Sequence, residues 1–133
     1  MTKKKIEIGA FLPSAGEFPR KYGVNNMAIR LEELGFSSLW VSDHILMPEI
    51  IKADYPFAKD KKATWDTNIA WYDSLILLSM AAAVTKNIKL GTAVLVLPLR
   101  HPIIFAKQAA TIDELSKGRL VLGIGAGWLS DEF

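Results

Sequence analysis

The feature that most constrains this chain is a spacing. Four short apolar runs, Ile6–Leu12, Ser38–Val41, Ile88–Leu97 and Leu120–Ile124, begin near residues 6, 38, 88 and 120, at steps of 32, 50 and 32 residues. Between them, apolar residues recur at helical intervals. Val24, Met27, Ala28, Leu31 and Leu34 share one face ahead of Gly35, which suits the left-handed position that closes a helix. Asp73 is a good N-cap for a helix through Leu75, Ile76, Leu78, Met80 and the alanines 81–83, apolar nearly all round and so expected to pack on both sides. His101 is read as the N-cap of a third helix, with Pro102 at its first position, Phe105, Ala109, Ile112 and Leu115 inward and Gly118 at its end. Strands apolar on both faces, alternating with helices, predict an α/β fold with a parallel sheet and helical crossovers.

Two of the steps are plain βα units; the middle one carries about 18 extra residues. The extra stretch, Ile45–Tyr72, holds Tyr55, Phe57, Trp65, Trp71 and Tyr72 among Asp and Lys. A connection of that length is expected to be an ordered lid or substrate wall, or else a surface excursion that packs its own aromatics. After the last strand come Gly125–Leu129, and then Ser130, Asp131 and Glu132 as an N-cap and acidic first turn. Four parallel strands with helices up to that point are expected to form the amino-terminal half of a (β/α)8 barrel. Residues 1–133 would then be a single partial domain that stops at the start of its fourth helix.

Composition excludes several classes. With 16 Lys and Arg against 14 Asp and Glu, the balance is too even and too scattered for a phosphate-backbone footprint, so nucleic acid is not an expected partner. No Cys is present, which removes thiolate catalysis, disulfides and Cys-based metal sites. Two His 57 positions apart leave no recognisable metal spacing, and no metal is expected. The longest apolar run, Leu75–Val84, is about half the ~20 residues a bilayer needs. Lys3, Lys4 and Lys5 resemble the start of a signal peptide, but Glu7, Gly9 and Pro13 interrupt its apolar region, and the expected location is the cytoplasm.

Parallel α/β folds place their sites at the carboxyl ends of strands. Those ends carry Pro13–Gly16, Ser42-Asp43-His44, Pro98–His101 and Gly125–Trp128. Gly123, Gly125 and Gly127 do not make a dinucleotide fingerprint, because the required sixth position is Trp128 or Ser130. They permit either a tight turn or close approach of backbone to a flat ligand. Adjacent Ser42, Asp43 and His44 cannot form a hydrolase relay. His44 can exchange a proton near neutral pH, or be satisfied by a neighbouring loop.

Four blocks carry a resemblance. Leu39–His44, Gly91–Pro102, Leu115–Leu120 and Gly123–Trp128, in this order and spacing, resemble the luciferase-like monooxygenase superfamily, and within it the coenzyme F420-dependent oxidoreductases. The resemblance runs from Ile6 to Phe133 and covers the amino-terminal half of such proteins. It implies a flavoprotein-type oxidoreductase: a barrel holding FMN or F420 over the carboxyl ends of its strands, and hydride transfer to, or oxygenation of, a small organic substrate. It implies that His44 supplies an acid or base and that Asp43 contacts the cofactor. It implies a non-prolyl cis peptide at Ala93–Val94 behind the ring, with Val96, Ala126, Gly127 and Asp131 at further cofactor positions. The chain departs from the sugar-phosphate dehydrogenases, which carry a catalytic glutamate where Trp128 stands, and Val96 lacks a hydroxyl that some relatives use.

A half-barrel leaves its first and last strands unpaired and the apolar interior faces of Ile6, Ile8, Val94 and Leu122 without the other half that should cover them, so the chain is expected to self-associate as a homo-oligomer. The alternative to an enzyme is therefore a catalytically silent half-barrel, a fragment or assembly module that pairs with another chain.

Overall fold

Strand β1 (Gly9–Phe11), strand β2 (Ser38–Val41), strand β3 (Lys89–Val96) and strand β4 (Leu120–Gly125) form one sheet in sequential order, every neighbour parallel. The structure, a computed structural model, describes residues 6–133, which leaves Lys3, Lys4 and Lys5 outside the described residues. Gly9 pairs with Ser38, Ser38 with Lys89, and Leu90 with Leu120, so all four strands start level. This is the strand order of a (β/α)8 barrel, of which the sheet makes four strands. No helix among the described residues is long and apolar enough to cross a membrane.

The crossovers carry helix α1 (Phe18–Tyr22), helix α2 (Val24–Glu33), helix α3 (Ser74–Val84) and helix α4 (Pro102–Ser116). Asp73 caps α3 as its sequence suggests, its Oδ1 accepting the amides of Leu75 and Ile76 at 2.9 and 3.0 Å. The core lies between the sheet and these helices. Leu39 and Val41 of β2 and Leu90 of β3 meet Ala28 of α2 and Leu77, Leu78 and Ala81 of α3, all buried. A smaller cluster of Leu75, Leu95 and Ile112 continues it under α4.

Four expectations are corrected. The first strand is three residues, not seven, because its partner begins only at Ser38, although Ser37 N still reaches Ile8 O at 2.9 Å. Helix α3 is not packed all round, since Ile76 and Met80 form an exposed outer stripe. Leu115 of α4 is exposed and Ser116 is buried in its place, with Ser116 Oγ bonded to Asp113 O. His101 occupies the N-cap position, but its side chain makes no capping bond.

The opposite, concave face of the sheet is filled at its base by Trp40. Its indole donates to Ser38 Oγ at 2.9 Å and lies against Gly91 on one side and Gly9 on the other. A Cβ at Gly91 would collide with the indole ring, so glycine there is a requirement of shape.

The amino-terminal ends of the strands are tied by two charged groups. Arg119 donates to Thr85 Oγ1, Thr85 O, Ala82 O, Ile88 O and Ser116 O, joining the end of α3 to the starts of β3 and β4. Glu32 at the end of α2 accepts the amides of Lys86, Asn87 and Ile88. Both lie at the end of the sheet remote from the strand-end motifs.

Candidate active site

At the carboxyl end, β2 runs straight into Asp43, whose side chain has no exposed surface. Its Oδ1 accepts from Ser74 Oγ at 2.9 Å and from Arg100 at 2.7 Å, and its Oδ2 from Val96 N at 3.0 Å. Arg100 also donates to Asp73 at 3.1 Å, so one guanidinium holds the end of β2, the exit of β3 and the start of α3 together. Burial pulls the Arg100 guanidinium down, but the hydrogen bonds and charges of Asp43 and Asp73 outweigh it and raise it above its ordinary value. A buried carboxylate with this many donors is a fixed post.

His44, the next residue, stands beside that post. Its Nδ1 lies 3.1 Å from Glu132 Oε2, and its ring meets Trp71 edge-on at 4.5 Å between centroids. In β3 the register slips between Thr92 and Leu95 against β4, a bulge that leaves Val94 about half exposed, and the Ala93–Val94 peptide is cis. Gly127 follows β4 at φ +85°, where a Cβ would meet Val96 Cγ1 at 2.9 Å. Three strand ends thus present an imidazole, an apolar bulge and bare backbone.

These groups line one cavity of about 510 Å³, within the usual range for small-molecule sites. Of the residues singled out from sequence, Asp43, His44, Ala93, Val94, Val96 and Gly127 line it; Ala126 and Asp131 do not. Asp131 instead accepts the amides of Lys52 and Ala53 at 3.0 and 2.9 Å. An apolar cleft of about 420 Å³ beside β1, lined by residues such as Tyr22 and Met27, contains no comparable chemistry.

The long β2–α3 connection forms the cavity's outer wall. Tyr55 packs edge-on against Trp128 and Trp65 at 5.0 Å each and against Phe57 at 5.4 Å, and Tyr55, Phe57, Trp65 and Trp128 all reach the lining. The indole N–H of Trp65 is buried there with no acceptor among the described residues. The wall is therefore both self-packed and part of the site, which joins two readings that the sequence left apart.

Sequence reasoning missed Glu132, Arg100 and the partnering of Trp128 with Tyr55. Glu132 carried one signal, an acid in the first turn after a glycine-rich strand end.

Comparison with known proteins agrees with this fold. The family model described as luciferase-like monooxygenase matches residues 7–133. An uncharacterized protein of Mycobacterium tuberculosis is 41% identical over 107 residues, 79% of this chain and 38% of that protein. The F420-dependent glucose-6-phosphate dehydrogenase of Amycolatopsis mediterranei is 36% identical over 101 residues, 75% of this chain and 26% of the dehydrogenase. Among solved structures, monooxygenase RslO1 from Streptomyces bottropensis superposes with a TM-score of 0.67 at 25% identity, over 96% of this chain and 35% of that one. The chain spans about a third of the length of these proteins.

Proposed function

The chain belongs to the luciferase-like monooxygenase family, and from that premise we propose that it forms the amino-terminal half-site of an oxidoreductase that uses FMN or coenzyme F420 on a small organic substrate. The observation that carries this reading is the meeting of His44, the Ala93–Val94 bulge and Gly127 in one cavity at the carboxyl ends of the strands. The residues fit a flat polycyclic group. Val94 offers an apolar surface, Gly125 and Gly127 let Val94 and Val96 pack directly on the β4 exit and keep that surface in place, and the unpaired Trp65 N–H supports an acceptor on a ligand. Ala93, Val94, Val96 and Gly127 would hold the ring; Asp43 fixes the strand ends beside it, and Ala126 and Asp131 shape the β4 exit.

When bound, such a cofactor supplies hydride transfer or the activation of dioxygen. His44 gives or takes the substrate proton, its imidazole held within the lining. Tyr55, Phe57, Trp65 and Trp128 exclude water and give the substrate an apolar surface.

Titrating the chain with FMN, and separately with F420, tests this. The expected result is a saturable shift of the absorption band of one of them, lost in Val94→Asp. Binding should be weak, because barrels of this type usually hold phosphate in loops after their seventh and eighth strands. No spectral change with either cofactor at millimolar protein overturns the reading.

A second reading, self-association, is supported by the sheet's edges. Ile8 and Phe11 at β1 and Leu122 and Ile124 on β4 are exposed, with no strand beside either edge among the described residues. Light scattering should give a mass above that of one 14.7 kDa chain at micromolar concentration, and a monomer there would exclude it.

A further inference from the structure

Glu132 lies in the cavity lining yet takes no part in the reaction proposed above. Its side chain is 1% exposed and that of His44 is 11% exposed. Glu132 Oε1 accepts the amides of Ile45 and Leu46 at 3.1 and 3.3 Å, and Oε2 stands 3.1 Å from His44 Nδ1. An ionised carboxylate can only accept hydrogen bonds. The partner at Oε2 must therefore be a donor, so the neutral imidazole carries its proton on Nδ1 and leaves the Nε2 lone pair free. Nε2 has no hydrogen-bond partner among the described residues, and Trp71 and Trp128 stand edge-on to the ring at 4.5 and 6.3 Å and hold its plane.

We propose that Glu132 is a positioning residue that fixes the Nδ1–H tautomer of His44, and so makes Nε2 the atom through which His44 exchanges its proton. This rests on the reading of His44 as the acid–base group, but the tautomer itself exists without cofactor, so the two ideas fail separately. The same carboxylate binds the backbone just after His44, which couples the imidazole's tautomer to the seating of the β2–α3 connection. The neighbouring Asp131 repeats the device seven residues further on, at Lys52 and Ala53.

The test is nitrogen NMR of the 133-residue chain labelled at histidine, at mildly alkaline pH, with the signals of the two histidines separated by a His101→Gln variant. The expected spectrum shows a pyrrole-type Nδ1 and a pyridine-type Nε2 for His44, the favoured tautomer exceeding the other by roughly tenfold or more, as a charge-assisted hydrogen bond implies. Glu132→Gln then gives a sharper result. The two backbone amides require the glutamine oxygen at the Oε1 position, which puts its –NH2 opposite Nδ1. The donor direction is reversed, and the two nitrogen types should exchange. A wild-type proton on Nε2 overturns the proposal. So does an unchanged tautomer in Glu132→Gln whose near-ultraviolet tryptophan signal matches wild type. If that signal is disturbed, the wild-type spectrum alone decides. Should the tautomer follow Glu132 while neither FMN nor F420 binds, the positioning role stands and the cofactor reading falls.

Discussion

Arg100 reaches back from beyond the end of β3 to meet the enclosed carboxylate of Asp43 at 2.7 Å. The pair sits under the cavity floor, where it fixes Val96 N and Ser74 Oγ at the same time. Removing Arg100 leaves the enclosed carboxylate of Asp43 without its counterion. Arg100→Met should therefore cost about 3–5 kcal/mol in urea unfolding. A loss below about 1 kcal/mol would show that the network is not tensioned in this way.

Glu32 sets a pH dependence. Burial pushes its carboxyl up, but the amides of Asn87, Ile88 and Lys86 and the charge of Arg119 outweigh burial and hold it below the usual carboxylate value. A group whose folded value is depressed adds stability that is fully present above its unfolded value and fades as pH falls through the folded one. Stability should thus decline on acidification below the ordinary glutamate range, and Glu32→Gln should flatten that part of the profile. Unfolding midpoints measured across acid pH check it, and parallel curves for the two proteins would rule Glu32 out as a contributor.

At the same end of the sheet, Arg119 fills five acceptors with its planar fork. Burial pulls the guanidinium below its ordinary value while Glu32 acts the other way. Arg119→Lys keeps a charge but cannot reproduce the fork. The expected loss is on the order of 2–3 kcal/mol by chemical denaturation, with cofactor titration of the folded fraction unaltered. A lysine variant as stable as wild type would show that charge alone suffices.

Trp128 bridges the strand-end turn and the aromatic wall, 5.0 Å from Tyr55, 6.0 Å from Trp65 and 6.3 Å from His44 between ring centroids. Trp128→Ala should raise hydrogen exchange in residues 45–72 by roughly tenfold, the equivalent of losing one or two aromatic contacts, while the amides of β2 and β3 stay protected. Equal acceleration in wall and sheet would mean that the wall is not a separate unit.

What could be read from sequence follows the range of the interactions concerned. The cap at Asp73 and the strand at Ser38–Val41 are local events, decided by residues a few positions apart, and both stand where the pattern puts them. Helix α1 escaped notice because Phe18–Tyr22 is a single turn and a half, too short for a period, started by Pro19 and closed at Gly23. Helix α3 misled for the opposite reason. When nearly every residue is apolar, periodicity cannot say which face is covered, and Ile76 and Met80 lie uncovered. The blocks that carry the family resemblance divide between the two ends of the sheet: Asp43, His44 and Gly127 at the cavity, Arg119 at the base. Glu132 could not be paired with His44 from sequence, since no pattern links residues 88 apart.

That distance has a consequence for how the site comes into being. A chain made from its amino terminus at ~5–20 residues per second exposes His44 and the aromatic segment several seconds before Asp131 and Glu132 exist to receive them. Until then Ile45, Leu46, Lys52 and Ala53 lack the acceptors that seat them, and the three neighbours of Trp128 lack their centre. The sheet can grow strand by strand, but the imidazole of His44 gains its carboxylate partner only when the turn after the fourth strand docks. The strand-end cavity is therefore closed late, by groups 88 positions apart in the sequence.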